Sequence, residues 1–245
     1  PDGEMMSPPV TLSIDSDEGQ SYISAMSLAG EYAYAGRDVV CDKVLEILGA
    51  DGLDAVHNHH NFAWHEEHDG EMFWVVRKGC TPAWPGQKGF VGATMGETSV
   101  ILEGTEETRS ALYSTVHGAG RVMSRTRAAG KVRKRWACCN RECDWFQPPH
   151  THKPEDGNCP KCGHNKLKKR FVQMSPGEID WEQERANVEQ FGVELRGGAA
   201  DEAPGAYKRL VDVLAAQVGE IEITQTLRPI GVCMAPAETF DPYKD

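Results

Sequence analysis

The pattern of apolar and polar positions along the chain predicts a mixture of helices and strands. Four segments have helical patterns, namely residues 15–36, 37–48, 178–191 and 205–217. The first begins at the capping residues Ser16 and Asp17 and ends at Gly36, and Gly49 ends the second. The third helix is polar, whereas the fourth is amphipathic.

Three other segments have the pattern of strands. Residues 71–78 and 98–104 are short apolar runs that are typical of buried strands. Residues 219–227 alternate apolar and polar positions with a period of two. Helices and strands do not follow one another in the regular order of a parallel sheet. The predicted fold class is therefore α+β.

Composition and charge limit the classes of function. The chain has 245 residues, of which 40% are hydrophobic and 26% are charged, as in ordinary globular proteins. Its formal net charge of −11 excludes a generally basic nucleic-acid-binding protein, although a local basic stripe still suits nucleic acid. The first part of such a stripe consists of Arg121, Arg125, Arg127, Lys131, Arg133, Lys134 and Arg135. No apolar run has the length of a membrane span, so we expect no membrane partner. The cysteines have metal-like spacing rather than the pattern of a disulfide scaffold, which favours a reducing compartment, and we therefore expect a cytoplasmic protein.

A cluster of cysteines predicts a small zinc ribbon at residues 136–170. Five of the eight cysteines lie between residues 138 and 162, in a segment of low apolar content. Cys159 and Cys162 have the spacing of a zinc knuckle. Cys143 pairs with either Cys138 or Cys139, and we prefer Cys138. The alternative is a set of free or redox-active thiols, but the spacing favours a structural Zn²⁺ ion.

Three further motifs are ambiguous when each is taken alone. Five histidines at residues 57–68 suit either a transition metal or an ordinary polar loop. The glycine-rich run at residues 76–99 suits a phosphate-binding loop or simple hairpin turns. The stretch "HGAGRVMSR" at residues 117–125 places a histidine beside two glycines and two arginines. It suits a nucleophile at a phosphate site or a structural histidine.

The order of the motifs is more specific than any one of them. "DEGQSYISAM", "HHNFAW", "VRKGCTPAWPGQKGFVGATMG", "HGAGRVMSR", "DEAPGAYKRLVDVL" and "TLRPIGV" follow one another along the chain. This series resembles the RtcB family of GTP-dependent RNA ligases over most of residues 15–233, interrupted by the cysteines. The resemblance implies an RtcB-like arrangement of mixed sheets and helices, with GTP as co-substrate and manganese as cofactor. It also implies that an RNA end with a 2′,3′-cyclic phosphate or 3′-phosphate is joined to a 5′-hydroxyl end, in tRNA splicing or RNA repair.

The resemblance also implies roles for individual residues. His117 matches the histidine that becomes guanylylated, and His60 matches a manganese ligand. The positions that match nucleotide-binding residues are Asn61, Thr94, Ser99, Ala119, Gly120 and Tyr207. The positions that match basic residues of the cleft, where they would contact phosphate or RNA, are Arg77, Arg121 and Arg125. The small activator protein archease is an implied partner.

Two departures from the family pattern concern its termini. The family's other manganese ligands lie in an N-terminal half, and none of their motifs occurs in this sequence. We therefore expect the C-terminal portion of a longer or split ligase, inactive until the N-terminal half is supplied as a partner. Met234 stands where the family has a lysine that binds guanine, and Lys244 is a candidate substitute.

The third departure is the zinc ribbon, which the resemblance marks as an insertion that touches RNA or a partner. The predicted domains are thus residues 1–135 and 171–245 of a catalytic core, with residues 136–170 inserted between them. Two alternative functions stay open. One is a decayed ligase half that acts as an RNA- or partner-binding module. The other is a nucleotidyl-histidine enzyme that acts on DNA ends, or repairs RNA without joining tRNA exons.

Overall fold

The computed structural model describes residues 10–236, which contain both helices and strands. The helices of this range are α1 (Asp17–Leu48), α2 (Arg125–Ala129), α3 (Trp181–Gln190) and α4 (Leu210–Ala215). The strands are β1 (Asn61–His68), β2 (Glu71–Lys78), β3 (Cys80–Pro82), β4 (Lys88–Val91), β5 (Ser99–Gly104), β6 (Ser114–Val116), β7 (Lys131–Cys138), β8 (Leu167–Ser175), β9 (Glu194–Gly198), β10 (Ile221–Leu227) and β11 (Gly231–Pro236). This mixture of helices and small sheets confirms the predicted mixed character of the fold. None of the helices in this range is both long enough and apolar enough to cross a bilayer.

Helix α1 confirms the predicted start and end of the N-terminal helical region, but not the break within it. The Ser16 side chain accepts a hydrogen bond from the Gly19 N–H at 3.0 Å, and Gly49 ends the helix with a φ of 63°. The predicted break at Gly36 is wrong, because α1 runs through this glycine without interruption and is 32 residues long in total. An interior glycine costs only about 1 kcal/mol relative to alanine, so the flanking helix formers carry the helix across it.

The strands form small sheets. The two-stranded sheets pair β1 with β2, β3 with β6, β7 with β8, and β9 with β11, and a further sheet has the order β10–β5–β4. Strands β2, β5 and β10 confirm the three strands that the sequence predicts. The predicted burial of β2 is wrong, because only Val75 and Arg77 of this strand are buried. The short α4 only partly confirms the predicted helix at 205–217. The preceding residues are instead a 3-10 turn at Pro204–Ala206 and an isolated bridge between Tyr207 and Arg121.

The described chain divides into two compact units. The first contains residues 10–90, 102–117 and 219–222, and the second contains residues 91–101, 118–218 and 223–236. In the first unit, β1 and β2 form an antiparallel hairpin whose turn is Asp69 and Gly70, with φ values of 56° and 85°. Strands β3 and β6 pair so that Cys80 lies opposite Val116. This pairing fixes the position of the residue that follows β6, which is His117.

The second unit has an apolar core between α3 and the parallel pair β9–β11. Its buried members are Met95, Val188, Val193 and Leu195, and Trp181, Val232 and Met234 pack against them. Met234 therefore lies beside apolar side chains, and Lys244 lies outside the described residues. Strands β7 and β8 form a separate antiparallel pair, and the cysteine-containing segment connects them. We call this pair the β7–β8 hairpin.

Candidate functional site

His117 stacks on His60 in the first unit. Their ring centroids are 4.5 Å apart and the ring planes differ by 10°. The backbone supports this contact, because the Gly79 N–H donates a hydrogen bond to the His60 carbonyl oxygen at 2.7 Å. Gly79 also connects β2 to β3, which pairs with the strand preceding His117. The structure thus brings together the predicted nucleophile and the predicted manganese ligand.

The surroundings of His117 favour its neutral form. Partial burial, and secondarily the nearby His60, lower the pKa of His117 below its ordinary value. The imidazole therefore keeps an unprotonated nitrogen at neutral pH. That lone pair is the group that a nucleophilic histidine requires.

The other histidines of the cluster have different partners. His57 accepts a hydrogen bond from Arg37 Nε at 3.3 Å, and His59 stacks on Phe62. His65 stacks on Trp74, while His68 is buried and lies 3.2 Å from Glu66. Within residues 10–236, the grouping of three or more potential metal ligands consists of cysteines and includes none of these histidines. The histidine-rich segment therefore does not form a metal site by itself.

Arg77 is held by the protein. Its guanidinium donates two hydrogen bonds to the Glu66 carboxylate, at 2.8 and 2.9 Å, and one to Ser114 Oγ at 2.8 Å. Arg77 Nη2 also donates to the Leu112 carbonyl oxygen at 2.8 Å, and the guanidinium lies over the Trp64 ring. The side chain is only 1% exposed. This geometry is that of a structural arginine. The predicted contact of Arg77 with phosphate or RNA is untested, and its hydrogen bonds to the protein do not favour that contact.

Asn61 is the remaining predicted residue of the first unit. It begins β1, lies opposite Lys78 in the hairpin register, and is exposed. Because it directly follows His60, the first unit contains a histidine pair and a neighbouring amide side chain. The other predicted nucleotide-binding residues belong to the second unit.

Tyr207 and Arg121 form a polar cluster with Glu202 in the second unit. The Tyr207 hydroxyl accepts a hydrogen bond from Arg121 Nη1 at 2.7 Å and donates one to Glu202. Arg121 also lies over the Tyr207 ring, 4.7 Å from its centroid. Burial and the Glu202 carboxylate raise the pKa of Tyr207 to about 12, so its hydroxyl stays protonated. Arg125 pairs with the same carboxylate at 2.9 Å.

An open cavity of about 760 Å³ borders this cluster within the second unit. Its lining includes Glu97, Val188, Phe191, Tyr207 and Arg209. The volume lies within the range of small-molecule pockets, and aromatic and charged side chains both reach it. Tyr207 therefore borders a space of small-molecule size.

The other predicted nucleotide-binding residues lie in loops of the second unit, except Ser99, which begins β5. The Thr94 hydroxyl donates to Glu97 at 3.3 Å, and Ser99 Oγ accepts from the Ala93 N–H at 3.0 Å. Ala119 is buried. Gly120 has a φ of 75°, and no atom lies within 4 Å of the place where a Cβ would be. The Gly120 backbone is thus open to close approach by a ligand.

Four cysteines of the second unit lie together. The Sγ atoms of Cys138, Cys143, Cys159 and Cys162 are all within 4.8 Å of one another. Cys138 and Cys162 are 3.6 Å apart, and Cys143 and Cys159 are 3.7 Å apart, between Sγ atoms. A tetrahedron of sulfurs about 2.3 Å from a zinc ion has edges of about 3.8 Å. The cluster therefore has the ligand type and the spacing of a structural zinc site.

The backbone around the cysteines has the turns of a ribbon. The Cys159 N–H donates to the His164 carbonyl at 2.9 Å, and Gly163 follows Cys162 with a φ of 71°. Hydrogen bonding from the backbone lowers the pKa of Cys162 to about 7, whereas burial raises the pKa of Cys138 to about 12. Adjacent thiolates repel one another, and a bound cation removes that conflict. The clustered set is the one preferred from the sequence and omits Cys139.

The sequence did not reveal the carboxylates that hold the arginines. Glu66 binds Arg77 from the neighbouring strand, and Glu202 binds Arg121 and Arg125 from more than 75 residues away. The pair Glu66–Arg77 was accessible in principle, because Asp69–Gly70 marks a hairpin that places both residues on one face. No local pattern marks Glu202 as a partner of the two arginines.

Comparisons with known proteins identify the family. The family described as "tRNA-splicing ligase RtcB" matches residues 8–142 of this chain. The tRNA-splicing ligase RtcB of Pyrococcus horikoshii is 29% identical over 95% of the chain, and that of Thermococcus kodakarensis is 28% identical over the same share. The RNA-splicing ligase RtcB of Escherichia coli is 30% identical over 34% of the chain. The chain spans 25%, 44% and 23% of these three relatives, respectively. It belongs to the RtcB family.

Proposed function

We propose that this chain is the C-terminal catalytic portion of an RNA ligase that joins a 3′-phosphate or 2′,3′-cyclic phosphate end to a 5′-hydroxyl end. Membership of a family of named RNA ligases supports this proposal most directly. The stacked pair of His117 and His60 supports the assignment of the nucleophile. GTP is the co-substrate, and the RNA is a pair of tRNA exons or a broken strand. The predicted cytoplasmic location and the activator archease remain parts of this proposal.

The proposed chemistry has three steps: the guanylyl group is transferred to His117, then to the RNA 3′-phosphate, and the RNA phosphate is then joined to the 5′-hydroxyl. A ring nitrogen of His117 attacks the α-phosphorus of GTP, and the bond to pyrophosphate breaks. An oxygen of the RNA 3′-phosphate then attacks the same phosphorus and releases the histidine. Finally the 5′-hydroxyl oxygen attacks the RNA phosphorus, its proton passes to solvent, and GMP leaves. A cyclic phosphate is first opened by water to a 3′-phosphate.

Side chains of the second unit are proposed to hold the nucleotide. Tyr207 borders the cavity and packs on the guanine, while Thr94 and Ser99 offer hydroxyls near the base and ribose. Asn61 and the backbone at Ala119 and Gly120 are proposed, from the resemblance, to contact the guanylate. The predicted phosphate contacts of Arg121 and Arg125 require them to exchange at least part of their interaction with Glu202.

The described residues offer a complete set of ligands for zinc but not for manganese. The four-cysteine cluster suits a structural Zn²⁺ ion, which would hold the segment between β7 and β8 together. A manganese ion needs more ligands than His60, and residues 10–236 do not offer a group of three that includes it. The N-terminal half of the ligase is proposed as the source of the remaining ligands.

Met234 favours a second candidate function. In place of a cation that binds guanine, the chain has a thioether that packs against the apolar core of Val188, Val193 and Leu195. A site that has lost a polar partner for guanine discriminates less well among nucleotides. This supports the alternative in which the chain is a decayed ligase half that binds RNA or a partner protein.

A guanylylation assay distinguishes the two functions. The chain is incubated with α-labelled GTP and manganese, alone and with the N-terminal half of a family member. The first function predicts an acid-labile, alkali-stable label only in the mixture, because phosphoramidates hydrolyse in acid. His117→Ala should abolish the label, whereas the matched control His65→Ala, at an exposed histidine stacked on Trp74, should retain it. A folded, zinc-loaded chain that takes no label in any mixture would refute the catalytic function.

A further inference from the structure

The β7–β8 hairpin has an unusual concentration of positive charge. Neither strand contains an aspartate or glutamate, and the basic residues of the two strands are Lys131, Arg133, Lys134, Arg135, Lys168, Lys169 and Arg170. Among residues 10–236, no carboxylate lies within ion-pairing distance of any of these seven cations. The formal net charge of the whole chain is −11, so this hairpin is a local exception on an acidic protein.

The hairpin register places like charges against each other. Arg135 lies directly opposite Arg170, and Arg135 Nε is buried without a hydrogen-bond partner among the described residues. Like charges on directly opposed strand positions destabilise a hairpin. Arg170 donates a hydrogen bond to the Cys138 carbonyl oxygen, but no carboxylate among the described residues neutralises the two facing guanidiniums. A polyanion that binds the hairpin would remove the repulsion.

One face of the hairpin combines cations with aromatic rings. Lys134 lies opposite Phe171, and Trp136 lies opposite Lys169, so these four side chains share one face. The ammonium of Lys134 is 5.9 Å from the Phe171 ring centroid, and that of Lys169 is 5.5 Å from the Trp136 ring. The Lys153 ammonium also lies over the half-buried Trp136 ring, at 4.7 Å. Phe171 is 55% exposed, which leaves most of its ring available to a ligand. We call these four residues the aromatic-basic face.

We infer that the aromatic-basic face binds single-stranded RNA, with a base stacked on Phe171 and phosphates bound by Lys134 and Lys169. Sequence-tolerant binding of single strands combines a positive surface with aromatic rings on which bases stack. Bases within a duplex are paired and stacked on one another, so exposed rings favour a single strand. This inference rests on the proposed function, since it assigns to the hairpin the task of holding the RNA substrate near its free end.

The test measures binding by fluorescence anisotropy of a labelled 12-nucleotide RNA with hydroxyl ends, as a single strand and annealed to its complement. No GTP or manganese is present, so the result does not depend on ligation. Phe171→Leu should weaken single-strand binding by roughly 5- to 150-fold, the range for loss of one stacked base, and leave duplex binding unchanged. The control Phe171→Tyr keeps the ring and should bind like the unaltered chain.

The charge arm compares two double variants with the same change in net charge. Lys134→Gln with Lys169→Gln should reduce the slope of log K against log salt by about 1.4, which corresponds to two phosphate contacts on a single strand. Lys43→Gln with Arg185→Gln alters exposed cations of α1 and α3 and should leave the slope unchanged. One zinc ion per chain should remain in every variant, which shows that the ribbon is intact.

Three results would overturn the inference. These are an unchanged affinity for Phe171→Leu, equal slopes for the two double variants, and no RNA binding by the unaltered chain at 50 mM salt or so. Absence of RNA binding would exclude RNA as the ligand of the hairpin and favour an acidic protein as its partner. The binding assay contains neither GTP nor manganese, whereas the guanylylation assay requires both, so a failure of the ligase chemistry and a failure of this inference are distinguishable.

Discussion

Replacing Glu66 with glutamine tests whether Arg77 is structural. Arg77 is 1% exposed, and the Glu66 carboxylate accepts two of its hydrogen bonds at 2.8 and 2.9 Å. Removing one partner of a buried ion pair costs about 3–5 kcal/mol, because a buried charge is left uncompensated. Glutamine keeps one acceptor oxygen, so we expect a loss of roughly 3 kcal/mol in the free energy of unfolding.

The assay is urea unfolding followed by tryptophan fluorescence, with Glu67→Gln as the control. Glu67 is the next residue of β1 and is exposed, so its substitution should change the free energy of unfolding by less than about 0.5 kcal/mol. Equal effects of the two substitutions would refute the structural role of Arg77. The double variant Glu66→Leu with Arg77→Met should recover most of the lost stability, because it removes both charges together.

The same pair predicts a dependence of stability on pH. Burial alone would raise the pKa of Glu66, but hydrogen bonds from Arg77 and His68 outweigh burial and lower it below the ordinary 4.5. A carboxylate with a lowered pKa in the folded state contributes stability above its unfolded pKa, and the contribution disappears as the pH falls through the folded pKa. We expect the stability difference between the unaltered chain and Glu66→Gln to be constant above about pH 5.5 and to shrink below pH 4.5.

Two further predictions concern the second unit. Cys143→Ser should lose the stoichiometric zinc that atomic absorption detects, whereas Cys139→Ser should keep it, since Cys139 lies outside the four-sulfur cluster; equal zinc contents would contradict the ligand assignment. Tyr207→Phe removes the hydroxyl between Arg121 and Glu202 and should lower the free energy of unfolding by about 1–3 kcal/mol. Tyr22→Phe, at a tyrosine 62% exposed on α1, is the control, and an equally large effect there would show that the hydroxyl cluster does not stabilise the chain.

Local signals predicted the parts of the fold that depend on neighbouring residues. The cap at Ser16 and the glycine stop at Gly49 determine the ends of α1, because each satisfies backbone groups within its own turn. The helix end predicted at Gly36 was wrong, because the free-energy cost of one interior glycine is smaller than the gain from continuing the helix. Helix boundaries inside a long periodic segment are therefore not readable from glycine alone.

Other strands were missed because their sequences lack the apolar pattern of a buried strand. Strands β7 and β8 are basic on both faces, so neither apolar alternation nor an apolar run marks them. Strand β1 is rich in histidine and glutamate, and only the Asp69–Gly70 turn indicates that it pairs with β2. Pairing across the hairpin, rather than burial of one face, defines these strands.

The site was predictable in its chemical groups but not in their partners. Motif order singled out His117 and His60 as candidates, whose rings stack in the structure, and cysteine spacing singled out the four sulfurs that lie within 4.8 Å of one another. The carboxylates that bind Arg77 and Arg121 come from other segments of the chain, so no motif contains both members of a pair. Contacts between distant segments become visible only when the register of the strands is known.

Two of these arginines differ from two lysines of the β7–β8 hairpin in whether a carboxylate of the protein is bound to them. Arg77 and Arg121 donate to protein acceptors, so an RNA phosphate gains from them only by displacing Glu66 or Glu202. Lys134 and Lys169 have no carboxylate partner among the described residues, so a phosphate meets no competitor there. Electrostatic attraction of RNA should therefore begin at the β7–β8 hairpin. In this structure Arg77 and Arg121 bind the protein's own carboxylates.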